Sequence, residues 1–179
     1  MTQPDIVLTG DDVVLRNIAA DDLEALRLWR NQPHFRQFFR EYRDISPNMQ
    51  QKWYEYVVLG DKRVRMFAIT DRNSKQLLGA CGLCYIDERN SSADFSIYIG
   101  ADGLYIDEKF AVDAGKLLLD YGFNQLKLHR IWAEIYAIDT AKKALLPKLG
   151  FVLDGQHREA HRLEDGTWTD CLFYGILAQ

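Results

Sequence analysis

The chain has 179 residues, with 22 Lys and Arg against 26 Asp and Glu, a formal net charge of -4 and 47% hydrophobic residues. Length and composition describe one globular domain over residues 1–179 and exclude a disordered chain, while the mild acidity excludes a general nucleic-acid binder. Three cysteines exclude a disulfide framework and fit a reducing compartment, and no apolar run approaches the ~20 residues of a bilayer span.

The start, Met1-Thr2-Gln3-Pro4-Asp5, carries neither a basic n-region nor an apolar h-region, so a cytoplasmic protein without membrane contact is expected. Val13 to Ile18 reads as a short strand. Asp21 and Asp22 lead into a helix carrying Leu23, Leu26 and Trp29-Arg30, ended near Pro33. Ser46-Pro47 starts a second helix with a hydroxyl cap and a proline at the first helical position. Arg65 to Thr70 and Leu77 to Ile86 are strands joined by the Arg72 to Lys75 turn, and Asp94 to Gly100 is another. Phe110, Ala114, Leu117, Leu118 and Tyr121 mark the longest helix by their spacing. Ile131 to Ile138 is a strand and Asp139 to Leu149 a short helix closed by Gly150. Phe151 to Leu163 and Thr167 to Leu177 flank Asp165-Gly166, a strong hairpin signal. The expected fold is α/β: a mixed central sheet of about six or seven strands flanked by about four helices.

Cys81 and Cys84 have CxxC spacing, but three residues apart on a strand they point to opposite faces, and no second pair completes a zinc site. His34, His129, His157 and His161 form no recognisable metal set, so no metal is expected. The segment from Arg27 to Arg43 holds five arginines, Arg27, Arg30, Arg36, Arg40 and Arg43, interleaved with Trp29, Phe35, Phe38, Phe39 and Tyr42. Such a cluster either binds an anion, by guanidinium forks and stacked rings, or coats a helix whose aromatics face the core.

Several segments, in order along nearly the whole chain, resemble the GNAT superfamily of acyl-CoA-dependent N-acyltransferases. They are Leu78-Gly79-Ala80-Cys81-Gly82-Leu83, Ala93 to Gly100, Leu117 to Phe123, Leu128-His129-Arg130-Ile131, Lys148-Leu149-Gly150-Phe151 and Asp165 to Asp170. Within that superfamily the similarity points to the branch of RimJ/RimL-type, spermidine and amino-sugar acetyltransferases. The resemblance implies a single GNAT-like domain using acetyl-CoA as cosubstrate, with a primary amine as acceptor.

It also implies site residues. Ile97, Tyr98 and Ile99 inherit the strand that presents backbone groups to the thioester. The pyrophosphate loop of the family falls on Ile106 to Ala111, placing Lys109, Phe110 and Ala111 against CoA, and the helix start at Asp139 is a further cofactor-side position. Ile106 and Lys109 depart from the family's loop pattern, and Asp107 and Glu108 put negative charge where a pyrophosphate docks. Weaker acyl-CoA binding is therefore expected. Glu134 and Asp94 are the alternatives for drawing a proton from the amine. The family's acidic tyrosine is replaced by Leu146, which leaves Tyr98, Ser96 or solvent as the proton donor, with Tyr98 the first choice. The first two helices overhang the acceptor site in this fold, so Trp29, Arg30, Asn31 and Arg36 are the expected substrate contacts. They favour an amine on an anionic carrier such as a nucleotide-linked sugar. A protein N-terminal acetyltransferase and a non-catalytic binding module are the alternatives, and the late hairpin is a possible edge for a homodimer.

Overall fold

The computed structural model describes residues 5–179; residues 1–4, which include most of the expected leaderless start, lie outside the described residues. The elements are β1 (Val7–Thr9), β2 (Val13–Asn17), α1 (Leu23–Asn31), α2 (Pro33–Arg36), α3 (Pro47–Trp53), β3 (Arg65–Asp71), β4 (Leu77–Asp87) and β5 (Ser92–Ile99). They continue with α4 (Phe110–Asp120), β6 (Arg130–Tyr136), α5 (Thr140–Lys148), β7 (Val152–Arg162) and β8 (Trp168–Leu177). All eight strands form one mixed sheet in the order β1-β2-β3-β4-β5-β6-β8-β7.

Eight strands and five helices exceed the expected six or seven and four. β1 spans only three residues, too short for a period-2 pattern to register. Pro33, read as a stop, instead occupies the first turn of the separate short helix α2, where a missing N–H costs nothing. The other caps behave as the residues dictate. Ser46 Oγ accepts from Met49 N at 3.2 Å, and Gly150, at φ +92°, ends α5 in the left-handed region.

Strand alternation divides the apolar residues between two cores. Val13, Leu15, Phe67, Ile97, Ile99, Leu118, Ile131 and Leu146 pack on the face covered by α4 and α5. Leu26, Phe35, Val58, Tyr98 and Tyr105 pack on the opposite face beneath α1 to α3. Each fully buried large side chain contributes about 1.5–3 kcal/mol. α4 and α5 approach closely because Gly115 has no side chain, and a Cβ there would lie 2.6 Å from Leu149 Cδ1.

Neighbouring strands are antiparallel except β5 and β6, which run parallel. Those two pair only over Ser92–Asp94 with Arg130–Trp132, and beyond that point they part. On the β6 side Ile99 N is satisfied instead by Tyr105 O, at 2.7 Å. The edge of β5 from Phe95 to Tyr98 therefore faces a gap rather than a neighbouring strand.

Candidate active site

The gap opens into a cavity of about 460 Å³ lined on β5 by Asp94, Phe95 and Ser96 and on β6 by Ala133, Glu134 and Ile135. Alternation along both strands puts Asp94 and Glu134 on the same face of the sheet, on either side of the point where the strands part. Arg40 joins them: Nη1 donates to Asp94 Oδ2 at 2.9 Å and Nη2 to Glu134 Oε2 at 3.1 Å.

Arg40 is delivered from the loop between α2 and α3, which has no regular structure but is firmly held. Asn31 clamps its far end, donating to Ile45 O at 2.9 Å and accepting from Ile45 N at 2.8 Å. Phe38 stacks on Tyr105 at 4.7 Å and Phe39 meets Tyr98 edge-on at 5.4 Å. The guanidinium lies 5.7 Å from the ring centre of Tyr85, a residue at φ +51° on the bulge that interrupts β4 between Cys84 and Asp87. A bulge re-aims side chains, and here it turns Tyr85 beneath Arg40.

Burial pushes the Asp94 carboxyl up to about 6, against the opposing pull of Arg40. Burial also works against the Arg40 charge, but Asp94 and Glu134 outweigh it and raise its pKa. Asp94 thus takes a proton in the range where a general base operates, with its counter-charge already in place.

Of the expected acceptor contacts, only Arg30 lines this cavity. Its guanidinium sits 4.6 Å over the Phe39 ring, and its Nε is buried with no hydrogen-bond partner. Asn31 is occupied by the Ile45 clamp, and Trp29 packs into both cores with its ring against Gly100. Arg36 pairs with Asp44 and Glu164 and faces a separate hollow at the tip of the β7–β8 hairpin. Arg27 pairs with Glu24 and Arg43 with Glu41. The positive segment is therefore largely neutralised by carboxylates, which removes much of the anion-binding capacity expected of it.

Three further groups of expected site residues are engaged within the fold. Tyr98 turns into the core under α1 to α3 instead of lining the cavity, and burial pushes its phenol well up, so it is poorly placed as a proton donor. Asp139 accepts from Tyr105 Oη at 2.5 Å and caps α5 through Lys142 N at 3.0 Å, so its buried carboxylate serves the fold. At the start of α4, Asp107 takes the backbone N–H groups of Lys109, Phe110 and Ala111 at 3.0, 2.8 and 2.7 Å. The Lys109 ammonium pairs with Asp12 at 3.1 Å and Glu108 with Lys148 at 2.5 Å. The donors expected for a pyrophosphate are thus held by the chain's own carboxylate. By contrast, β6 does not pair with the β5 edge from Phe95 to Tyr98. Ile97 and Ile99 bury their side chains in the α4–α5 core, so at that edge they present only backbone.

Cys81 is buried in one core while Cys84 lines the cavity on the other face, as their spacing requires. Burial pushes the Cys84 thiol up to about 12, which makes it a poor nucleophile. His157 packs on Phe173 and His161 stacks on Tyr136. Among the described residues no group of three His, Cys, Asp or Glu could hold a metal ion, and no helix is long and apolar enough to cross a membrane.

Two site residues escape any local reading. Arg40 meets partners 54 and 94 residues away. Lys142 lines the cavity from the first turn of α5. The signal for Lys142 was an unfavourable one: a cation at a helix start, where the dipole favours acids.

The acetyltransferase (GNAT) domain family matches residues 12–152. The uncharacterized N-acetyltransferase p20 of Bacillus licheniformis is 25% identical over 174 residues, 95% of each chain. The crystal structure of spermidine N-acetyltransferase from Vibrio cholerae in complex with CoA and spermine superposes with a TM-score of 0.82 at 26% identity, covering 92% of this chain and 95% of that one. A GNAT-family acetyltransferase from Bacillus anthracis shares the fold, with a TM-score of 0.81 at 20% identity over 96% and 98% of the two chains. The family match and these likenesses agree: the chain belongs to the acetyltransferase (GNAT) domain family, as an N-acetyltransferase of the GNAT type.

Proposed function

We propose that this chain transfers acetyl from acetyl-CoA directly to a small primary amine held in the β5–β6 cavity. The observation that carries the reading is the pair Asp94 and Glu134, facing one another where the strands part and held by Arg40. An amine arrives as an ammonium. Two carboxylates attract it and one of them takes its proton, which frees the nitrogen lone pair to attack. Glu134, the more exposed of the two, meets the incoming amine, and Asp94 holds Arg40 from beneath.

The donor approaches along the cleft between the start of α4 and α5, lined by Ile106, Val112, Ala141, Ala144 and Leu145 together with the charged Asp107, Glu108 and Lys148. Its thioester lies along the open edge of β5, where backbone groups polarise the carbonyl. No activating base accompanies the cavity thiol of Cys84, which supports direct attack over an acetyl-enzyme.

A cationic acceptor agrees with the carboxylate pair and with the spermine bound to the Vibrio cholerae relative. The second reading is an acceptor on an anionic carrier, such as a nucleotide-linked amino sugar. It is favoured by Arg30, which makes no ion pair among the described residues and lines the same cavity. Peptide N-termini, the acceptors of RimJ/RimL-type enzymes, complete the panel. A thiol-release assay with acetyl-CoA and these three amine classes tests the proposal. Turnover with polyamines supports the first acceptor. Preference for nucleotide-linked amines, with KM raised by Arg30→Ala, supports the second. Absence of thiol release with every amine overturns the enzyme reading. Pairing of two copies through the outer strand β7 belongs to the same proposal, and sedimentation velocity tests it.

A further inference from the structure

We infer that Lys142 is the proton donor to the departing thiolate. The role rests on the acetyl-transfer reading above and adds to it the group that the carboxylate pair leaves unnamed. Loss of the amine's protons and protonation of the sulfur are separate events, and the carboxylates serve only the first.

Ser96 also lines the cavity, but an unactivated hydroxyl is too weak an acid to compete as a donor to the thiolate, and the remaining candidates are eliminated one by one. Tyr98 is sealed in the core. Tyr105 already gives its hydroxyl proton to Asp139. Leu146, one turn beyond Lys142 on the same face of α5, has no proton to give. The Cys84 thiol is held protonated by burial, and Arg30 and Arg40 do not release protons.

Lys142 has the required position and chemistry. It lines the cavity with Asp94 and Glu134, and its neighbour Ala141 lines the α4–α5 cleft by which the donor arrives. Its ammonium is held by ring faces rather than by acids: Nζ lies 5.5 Å from the centre of Phe39 and 5.4 Å from that of Tyr105. Among the described residues it makes no side-chain hydrogen bond or ion pair, so its protons stay free to be given away. The charged groups acting on it are Asp139 at the helix cap, Asp94 on β5, Arg30 on α1 and Arg40 on the α2–α3 loop. Burial outweighs the two acids and lowers its pKa, and the positive end of α5 acts in the same direction.

The step balances. The amine nitrogen forms the C–N bond as the C–S bond breaks. The C–S electron pair goes to sulfur, which takes a proton from Lys142 Nζ. The acceptor enters as an ammonium and loses two protons. One passes through the carboxylate to solvent, and the other replaces the proton given by Lys142.

The test uses Lys142→Met and Lys142→Arg in the full chain. Arginine keeps the charge and the stem but cannot surrender its proton. Both variants are expected to fold and to lose about 100-fold in kcat, with little change in acceptor KM. The basic limb of the wild-type pH profile should vanish. In the ligand-free protein, NMR titration of methylated lysines should find Lys142 below the other lysines. Wild-type kcat in either variant, a rise in acceptor KM alone, or titration together with the other lysines overturns the role. Absence of thiol release from the wild-type chain overturns the proposed function itself, and with it this role. Release that Lys142→Met leaves unchanged overturns the role alone.

Discussion

The β5–β6 cavity and the start of α4 treat charge in opposite ways. In the cavity, Arg40, Asp94, Glu134 and Lys142 converge from four separate elements; Arg40 is shared between the two carboxylates, and Lys142 makes no ion pair among the described residues. At the start of α4, Asp107 satisfies N–H groups two to four residues ahead of it, and Lys109 and Glu108 have partners of their own. The first region leaves a cation without an acidic partner; the second has its charges and N–H groups paired within the chain.

The largest expected effect lies at the cavity. Glu134→Gln should lower turnover by about 10²–10⁴-fold with the fold preserved, measured by thiol release and circular dichroism. Turnover at the wild-type rate would break the contrast by removing the base from the cavity.

Arg40→Gln should act next most strongly, and through pH. Asp94 loses its counter-charge and its pKa rises above about 6, so the carboxylate pair that receives the amine's proton stays protonated to higher pH and the acid limb of kcat/KM moves with it. The sign for stability follows from the same shift. Asp94 binds its proton more tightly folded than unfolded, where its pKa is about 3.9. Its contribution therefore favours folding at low pH and is lost as pH rises through about 6. Denaturant melts of Asp94→Asn across that range should lack this slope.

Asp107→Ala tests the start of α4. Removing the cap costs about 1 kcal/mol, or about 2–4 °C in Tm. The same change frees three N–H groups and should tighten acetyl-CoA binding several-fold in calorimetry, as expected of a helix start open to an anion. Lys109→Glu should matter less, because Lys109 already serves Asp12. Unchanged affinity in Asp107→Ala would mean that the helix start lies off the donor's path. The smallest effect is expected at Cys81, buried on the far face: Cys81→Ala should leave turnover intact.

Elements with a strong local code were legible before the structure. The Ser46-Pro47 start, the Gly150 stop and the hairpin around Gly166 depend on neighbours in sequence, and all three form where expected. Asp94 and Glu134 were singled out by the family resemblance, yet nothing local says that β5 and β6 part after three residue pairs. The arginine segment misled because its counter-ions, Asp44, Asp94, Glu134 and Glu164, include acids from far along the chain. Asn31 misled in another way: the polar side chain that suits a substrate also suits a loop clamp.

The short parallel seam has a mechanical consequence. Among the described residues, strand pairing joins β1 to β5 to the ribbon of β6, β8 and β7 only through Ser92–Asp94 and Arg130–Trp132, so the sheet is two plates on a narrow weld. A donor lying along the open edge of β5 would act as a guest strand between the plates. Occupancy should then stiffen the molecule as a whole, slowing amide exchange in β6 and β8 as well as at the site.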